Sequence, residues 1–288
     1  MKTAVIGADG QLGSDLRKII PDNELIPLTI KDLDIADYEK TRAVLLAAAP
    51  SVVINTAAYH RVDDCEINDN EAYRVNAHGA KNLSLICREL NIDLVHISTD
   101  YVFSGDRMSP YSETDPPDPK TAYGISKLAG EQFVKYLIPA HYVVRTCGLY
   151  GVAGCLGKGG GNFVENMIRK AAAGEAIKVV DDEIVGPTYT FDLAQKIWEL
   201  VRTKKYGLYH ITNSGQCSWW EFASEIFKIQ GIDVKIQKTS AAEFKAMAHR
   251  PKFSILENKM LERSGLSGMR PWKEALRAYL EERGRSIR

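Results

Sequence analysis

The sequence predicts an α/β protein: a doubly wound parallel sheet with a smaller, mostly helical part. Two observations carry this. Short apolar, β-branched runs alternate with longer runs of helical spacing through the first half of the chain, the pattern of a parallel sheet covered on both faces. The first of these runs leads through a glycine turn straight into a helical pattern. Taken in order, Ala4, Val5 and Ile6 form a strand, and Leu12, Leu16, Ile19 and Ile20 mark the helix after the turn. "ELIPL" reads as a strand, "ADYEKTRAVLLAAA" as a helix, "SVVINTAA" as a buried strand and "NEAYRVNAHGAKNLSLICREL" as a long helix. "DLVHIST" is the next strand. A proline-rich loop leads to the helix "AYGISKLAGEQFVKYL" and the strand "HYVVRT". Beyond the glycine-rich "GVAGCLGKGGGN" the alternation breaks down and helices dominate. Residues 1–148 are therefore assigned to the sheet domain. Residues 187–212, with the helix "TFDLAQKIWELV" and the strand "GLYHIT", return to it, while 149–186 and 213–288 make the smaller part.

Gly7, Gly10 and Gly13 sit where a strand turns into a helix. Glycine there permits a tight turn and close approach of a pyrophosphate, and a helix start offers free N–H groups and partial positive charge. The alternative is a turn that merely needs glycine. Composition narrows the class further. Lys plus Arg equals Asp plus Glu at 37 each, so no bulk field attracts nucleic acid or an anionic membrane. No apolar run approaches the roughly 20 residues of a membrane span, and the start has no signal-peptide pattern. The five cysteines form no C-x-x-C pair, which points to a reducing, cytoplasmic setting. The six histidines are scattered, and no metal site is expected. "GKGGG" is not a kinase-type phosphate loop, because Gly159 follows Lys158 where Ser or Thr is needed. It reads either as a loop capping a helix that begins near Asn162 or as an anion-contacting loop.

The chemistry lies in "STDYVF" and "YGISK". Tyr123 and Lys127 are four apart on a helix and share a face. A neighbouring ammonium favours the phenolate and so brings the phenol's pKa, normally near 10, toward working pH. Thr99 ends a strand at its carboxyl end, where ligands of open α/β sheets lie. Its hydroxyl can bond a substrate oxygen and the phenol together, while Ser98 points to the opposite face.

"GADGQLG", "NTAAY", "STDYVF", "YGISKLAGE" and "GPTYTFDLA" together resemble the extended short-chain dehydrogenase/reductases, most closely the dTDP-4-dehydrorhamnose reductase group. The resemblance implies a Rossmann-like fold and a set of roles. Gly10, Gln11 and Leu12 line the pyrophosphate turn, Asp34 and Ile35 touch the adenine, and Ala57, Ala58 and Tyr59 lie along the cofactor. Thr99 and Asp100 meet a sugar nucleotide. Tyr123 donates the proton, and Lys127 holds the nicotinamide ribose. The implied reaction is hydride transfer from NAD(P)H to C4 of a dTDP-4-keto-6-deoxysugar. A homodimer is compatible with this reading. Asp34 could instead be a solvated loop acid, and Asp100 could cap the next turn. Arg250 could form a core-edge ion pair or reach the substrate diphosphate. Two other readings stay open: a cofactor-retaining sugar-nucleotide epimerase, and a partner-binding protein like the regulatory subunit of methionine adenosyltransferase. A dehydratase is disfavoured, since Tyr101 stands where that chemistry needs Glu. The second strand ends in Leu28, Thr29, Ile30 and Lys31 with no acid for ribose hydroxyls, so the cofactor leans toward NADPH, with NADH also used. Gly148 stands where members of the group carry a tryptophan. Its absence would leave the sugar pocket open unless Trp219, Trp220 or another side chain fills it.

Overall fold

The computed structural model describes residues 1–154, 159–244 and 246–286. Five strands alternate with helices in the first half: β1 (Thr3–Ile6), α1 (Gln11–Ile19), β2 (Leu25–Leu28), α2 (Tyr38–Ala48), β3 (Val52–Asn55), α3 (Val62–Ile67), α4 (Asp69–Tyr73), α5 (Ala80–Glu89), β4 (Asp93–Thr99), α6 (Ala122–Leu137) and β5 (His141–Thr146). The second half holds β6 (Leu149–Tyr150), α7 (Phe163–Ala172), β7 (Ile177–Val180), β8 (Ile184–Val185), β9 (Thr188–Tyr189), α8 (Thr190–Val201), β10 (Gly207–His210), β11 (Cys217–Ser218), α9 (Trp219–Gln230), β12 (Ile236–Thr239), α10 (Ala241–Phe244), α11 (Lys259–Arg263) and α12 (Trp272–Ser286).

Six strands form one sheet in the order β10-β5-β4-β3-β1-β2, every pairing parallel. The order reverses beside β1, which puts the crevice for a ligand at the carboxyl ends of β1 and β3. Strand alternation sorts the core. Val5, Ile54, Val95 and Val144 pack against Leu12 and Leu16 of α1 and Leu193 and Ile197 of α8. Ala4, Ile6, Val53, Leu94 and Val143 pack on the opposite face against Leu83 and Ile86 of α5 and Val134 of α6. A third core joins Val164 and Met167 of α7, Phe222 and Ile226 of α9, and Leu276 and Tyr279 of α12.

The helix expected over residues 70–90 is interrupted: α4 and α5 are joined by a π-helical turn, Arg74–Gly79. The segment α3, which the sequence reading left unassigned, is a short helix. Cys155 and Lys158 lie outside the described residues, and of "GKGGG" only Gly159, Gly160 and Gly161 lie within them. The helix after it begins at Phe163, with the Asn162 side chain accepting from Glu165 N.

Candidate active site

The glycine turn has a steric cause. Gly7 adopts φ +79°, and a Cβ on Gly13 would lie 2.1 Å from the Gly7 carbonyl oxygen. At Gly10 the closest atom to a Cβ is that same oxygen at 3.3 Å, with nothing else within 4 Å, so the space in front of this residue is open. α1 starts without a side-chain cap. Its first amides therefore face no side-chain acceptor, which fits an anion. Leu12 is buried in the core, so only its backbone is available to a ligand. The Gln11 side-chain oxygen Oε1 accepts from Gly151 N and ties the turn to the second half of the chain.

Asp34 is paired with Arg74 at 2.7 Å and accepts from Ala36 N. Ile35 is 3% exposed and packs where a Cβ on Gly79 would strike it, so its side chain serves the core. At the end of β2, Asp32 folds back to accept from the backbone and hydroxyl of Thr29. The reading that stopped at Lys31 missed this acid. The loop of Ala57, Ala58 and Tyr59 is fixed by two asparagines. Asn55 accepts from Ala57 N, and Asn76, in the π-helical turn, both accepts from Tyr59 N and donates to Tyr59 O. Asn76 also donates to Ser126 on α6, which orients the turn of helix between Tyr123 and Lys127.

α6 begins at Ala122, capped by Thr121 and by Glu66, whose carboxylate accepts from Ala122 N. Tyr123 is thus placed in the first turn of a well-anchored helix. Its phenol is hydrogen-bonded to the Thr99 hydroxyl, and its ring meets Tyr101 edge-on at 5.6 Å. The expected lowering of the phenol's pKa by Lys127 does not occur here. Burial dominates and pushes Tyr123 above the usual tyrosine range. Lys127 is itself buried and donates to Ile97 O at 2.6 Å. Burial pushes its amine down to about 8, opposed by the Glu131 carboxylate. Thr99 donates to Asp100 at 3.0 Å. The Asp100 carboxyl is buried, bonded to Ser254 and Thr99 and to amides of the turn it opens, and burial pushes it up to about 6. Above that pH a buried charge is forced on the fold. Asp100→Asn is therefore expected to raise stability by about 1–3 kcal/mol at pH 8. The gain should fade as pH falls from 6 to 4, where the native acid is protonated as well; chemical unfolding at both ends of that range checks it.

Arg250 pairs with Asp63 at 2.8 Å and is hydrogen-bonded to the Tyr101 side chain. Its buried Nη1 has no partner among the described residues. Gly148 sits at φ +59°, and a Cβ there would be 3.1 Å from Pro187 Cα. Any side chain is strained at that position, so a tryptophan placed there would probe backbone strain before sugar fit. Gly148→Ala should cost about 1–2 kcal/mol, read as a lower denaturation midpoint. Trp219 packs on Phe163 and Trp220 lies under Lys238, both among the helices of the third core.

The model of the RmlD substrate binding domain matches residues 1–284. The chain belongs to the RmlD substrate binding domain family. It is 40% identical over 284 residues to the spore coat polysaccharide biosynthesis protein SpsK of Bacillus subtilis, covering 98% of each chain. It is 37% identical over 276 residues to a dTDP-4-keto-6-deoxy-D-glucose reductase of Streptomyces niveus, covering 94% of each. A crystal structure of dTDP-4-dehydrorhamnose reductase from Bacillus anthracis in complex with NADP superposes with a TM-score of 0.94 at 42% identity, covering 98% of this chain and 100% of that one. Several members of this site were not singled out in the sequence: Asn55, Asn76, His96, Glu131 and Arg145. Each is a polar residue set in an apolar strand or on the inner face of a helix. That anomaly was the available signal.

Proposed function

We propose that this chain is an NAD(P)H-dependent reductase of the C4 keto group of a dTDP-4-keto-6-deoxysugar, yielding dTDP-L-rhamnose or a close analogue for cell-surface polysaccharide synthesis. One observation carries the reading. A tyrosine kept protonated by burial is hydrogen-bonded to a threonine at the carboxyl end of a central strand, next to a buried lysine. The relatives named as reductases of such sugars support it. Gly7, Gly10, Gly13 and the α1 amides would hold the cofactor's pyrophosphate. The loop of Ala57, Ala58 and Tyr59 would run along the cofactor, and Lys127 would hold its ribose. The bound cofactor supplies a hydride. Tyr123 holds the proton for the resulting oxyanion at Oη. Thr99, whose own proton goes to Asp100, accepts from the phenol and aligns it with the reacting oxygen. Asp100 and Arg250 would contact the sugar nucleotide, with Nη1 of Arg250 suited to a phosphate oxygen.

The sheet domain of residues 1–148 and 187–212 would take the cofactor, and 149–186 with 213–288 the sugar; the separate third core supports this division. A homodimer without affinity for nucleic acid, in a reducing compartment, belongs to the same reading. Equal basic and acidic counts support the lack of nucleic-acid affinity, and the unpaired, buried thiols of Cys65, Cys87, Cys147 and Cys217 support the reducing compartment. No helix among the described residues is long and apolar enough to cross a membrane. The test is steady-state oxidation of NADPH and NADH with a panel of dTDP-4-keto-6-deoxysugars. Turnover with a higher kcat/KM for NADPH is expected. Absence of turnover with every sugar of the panel overturns the reading, and a strong NADH preference overturns the lean to NADPH.

A further inference from the structure

Polar groups lie buried between the sheet and α6. β4 alternates, so Leu94, His96 and Ser98 share the face covered by α6, where a strand normally presents apolar side chains. His96 and Ser98 there meet Lys127 and Glu131, one helical turn apart. The Ser98 half is closed: Glu131 accepts from Ser98 at 2.6 Å and from Arg145 at 2.8 and 2.7 Å. The His96 half has a mismatch. The Oδ1 of Asn55 is taken by Ala57 N, so its Nδ2 faces Nδ1 of His96, at 3.3 Å. Nδ1 must then accept, and the neutral ring carries its proton on Nε2. That Nε2 lies 3.5 Å from Nζ of Lys127. Nζ already donates to Ile97 O, so an ammonium would turn a second donor toward an N–H and not toward a lone pair. Gly130 makes the approach possible, since a Cβ there would be 2.3 Å from the Asn76 carbonyl oxygen and 3.3 Å from Nε2 itself.

We propose that His96 is a positioning residue whose Nε2–H loosens the proton of Lys127, making Lys127 an exchangeable amine behind Tyr123 in place of a fixed cation. This rests on the reductase reading for its purpose, though not for its test. Either protonation state of Lys127 obeys the same logic. The ammonium is opposed by the N–H dipole, and the free amine accepts from it. The other groups around Lys127 do not fill this role. On its own helix Glu131 favours the ammonium, and Arg145 from β5 offsets Glu131. Asp100 after β4 is engaged by Thr99 and Ser254. Cys65 on α3 donates to Tyr59 O, and Glu66 on α3 caps α6. His96 is held neutral by burial first and by the Lys127 charge second, so it cannot itself become a cation there.

The experiment follows the lysine side-chain NMR signals of cofactor-free protein through pH, with Lys127→Arg identifying the Lys127 resonance. The wild-type midpoint should fall near 8, well below an ordinary lysine. In His96→Leu it should rise by about one pH unit or more, and the alkaline limb of kcat/KM should move with it. The imidazole nitrogen shifts of His96 in the wild-type protein provide a second reading that needs no variant. A protonated Nε2 and a bare Nδ1 are expected, and the opposite tautomer overturns the proposal whether or not His96→Leu folds. A wild-type midpoint in the ordinary lysine range overturns it too, as does a midpoint that His96→Leu does not raise. The titration needs no substrate, so its failure is distinct from a failure of keto-sugar turnover.

Discussion

Tyr123→Phe is expected to lower kcat by about 10²–10⁴-fold while leaving NADPH binding nearly unchanged. The substitution removes one hydroxyl and keeps the ring, so the edge contact with Tyr101 survives. It also releases Thr99, whose hydroxyl still has Asp100 as its partner, and no buried polar atom is orphaned. The loss should therefore fall on the proton-transfer step and not on folding. Burial above the usual tyrosine range matters to the sign. The phenol is a reliable proton carrier at neutral pH, and the barrier lies in releasing that proton. Steady-state kcat with the best keto sugar and a fluorescence titration of NADPH separate the two effects. A near-normal kcat would remove Tyr123 from the mechanism. A collapse of cofactor affinity would move it from chemistry to binding.

Much of this site was legible because its backbone has strict local requirements. Of the glycines after β1, Gly7 is needed for its positive φ and Gly13 because a Cβ there would hit the Gly7 carbonyl. Tyr123 and Lys127 share a face in a helix that runs from Ala122 to Leu137, the bounds its sequence pattern gives. The strands of the sheet were readable from their β-branched runs. What escaped depends on partners distant in sequence. Asn55, His96 and Lys127 come from β3, β4 and α6. The mismatch among them arises only when the strands are in register and α6 is seated. The π-helical turn was hidden because its residues keep helical spacing while one turn widens to bring Asn76 to Tyr59 and Ser126. The positive φ of Gly148 was likewise invisible, so an apparent missing side chain reads in three dimensions as a turn requirement. The direction of Tyr123's shift was missed because helical spacing reports that an ammonium is near and does not report burial.

Glu131→Ala is expected to cost about 3–5 kcal/mol of stability. Glu131 is 0% exposed and Arg145 1%. The pair is made by Nε and Nη2 of the guanidinium on both carboxylate oxygens, with Ser98 as a third donor. Arg145 Nη1 already lacks a partner among the described residues. Removing the carboxylate leaves a buried guanidinium with most of its donors unmet and nowhere to go between the sheet and α6. Replacing both partners, Glu131→Ala with Arg145→Met, removes the stranded charge and should recover much of the loss, since a buried pair is often matched by apolar packing. Urea unfolding of the three proteins reads this directly. A cost below about 1 kcal/mol for the single variant would mean that the guanidinium finds water or another acceptor. The same substitution has a signature at the catalytic lysine. Glu131 is the group that favours the Lys127 ammonium, and without it the stranded Arg145 charge also goes uncompensated. The Lys127 midpoint should then fall below 8, and the alkaline limb of kcat/KM should move down. His96→Leu is expected to move it up. Opposite movements from two neighbours on one buried face would show that Lys127 is balanced between a carboxylate that holds its proton and an imidazole that loosens it. Movement in the same direction would point instead to a general opening of the space under α6.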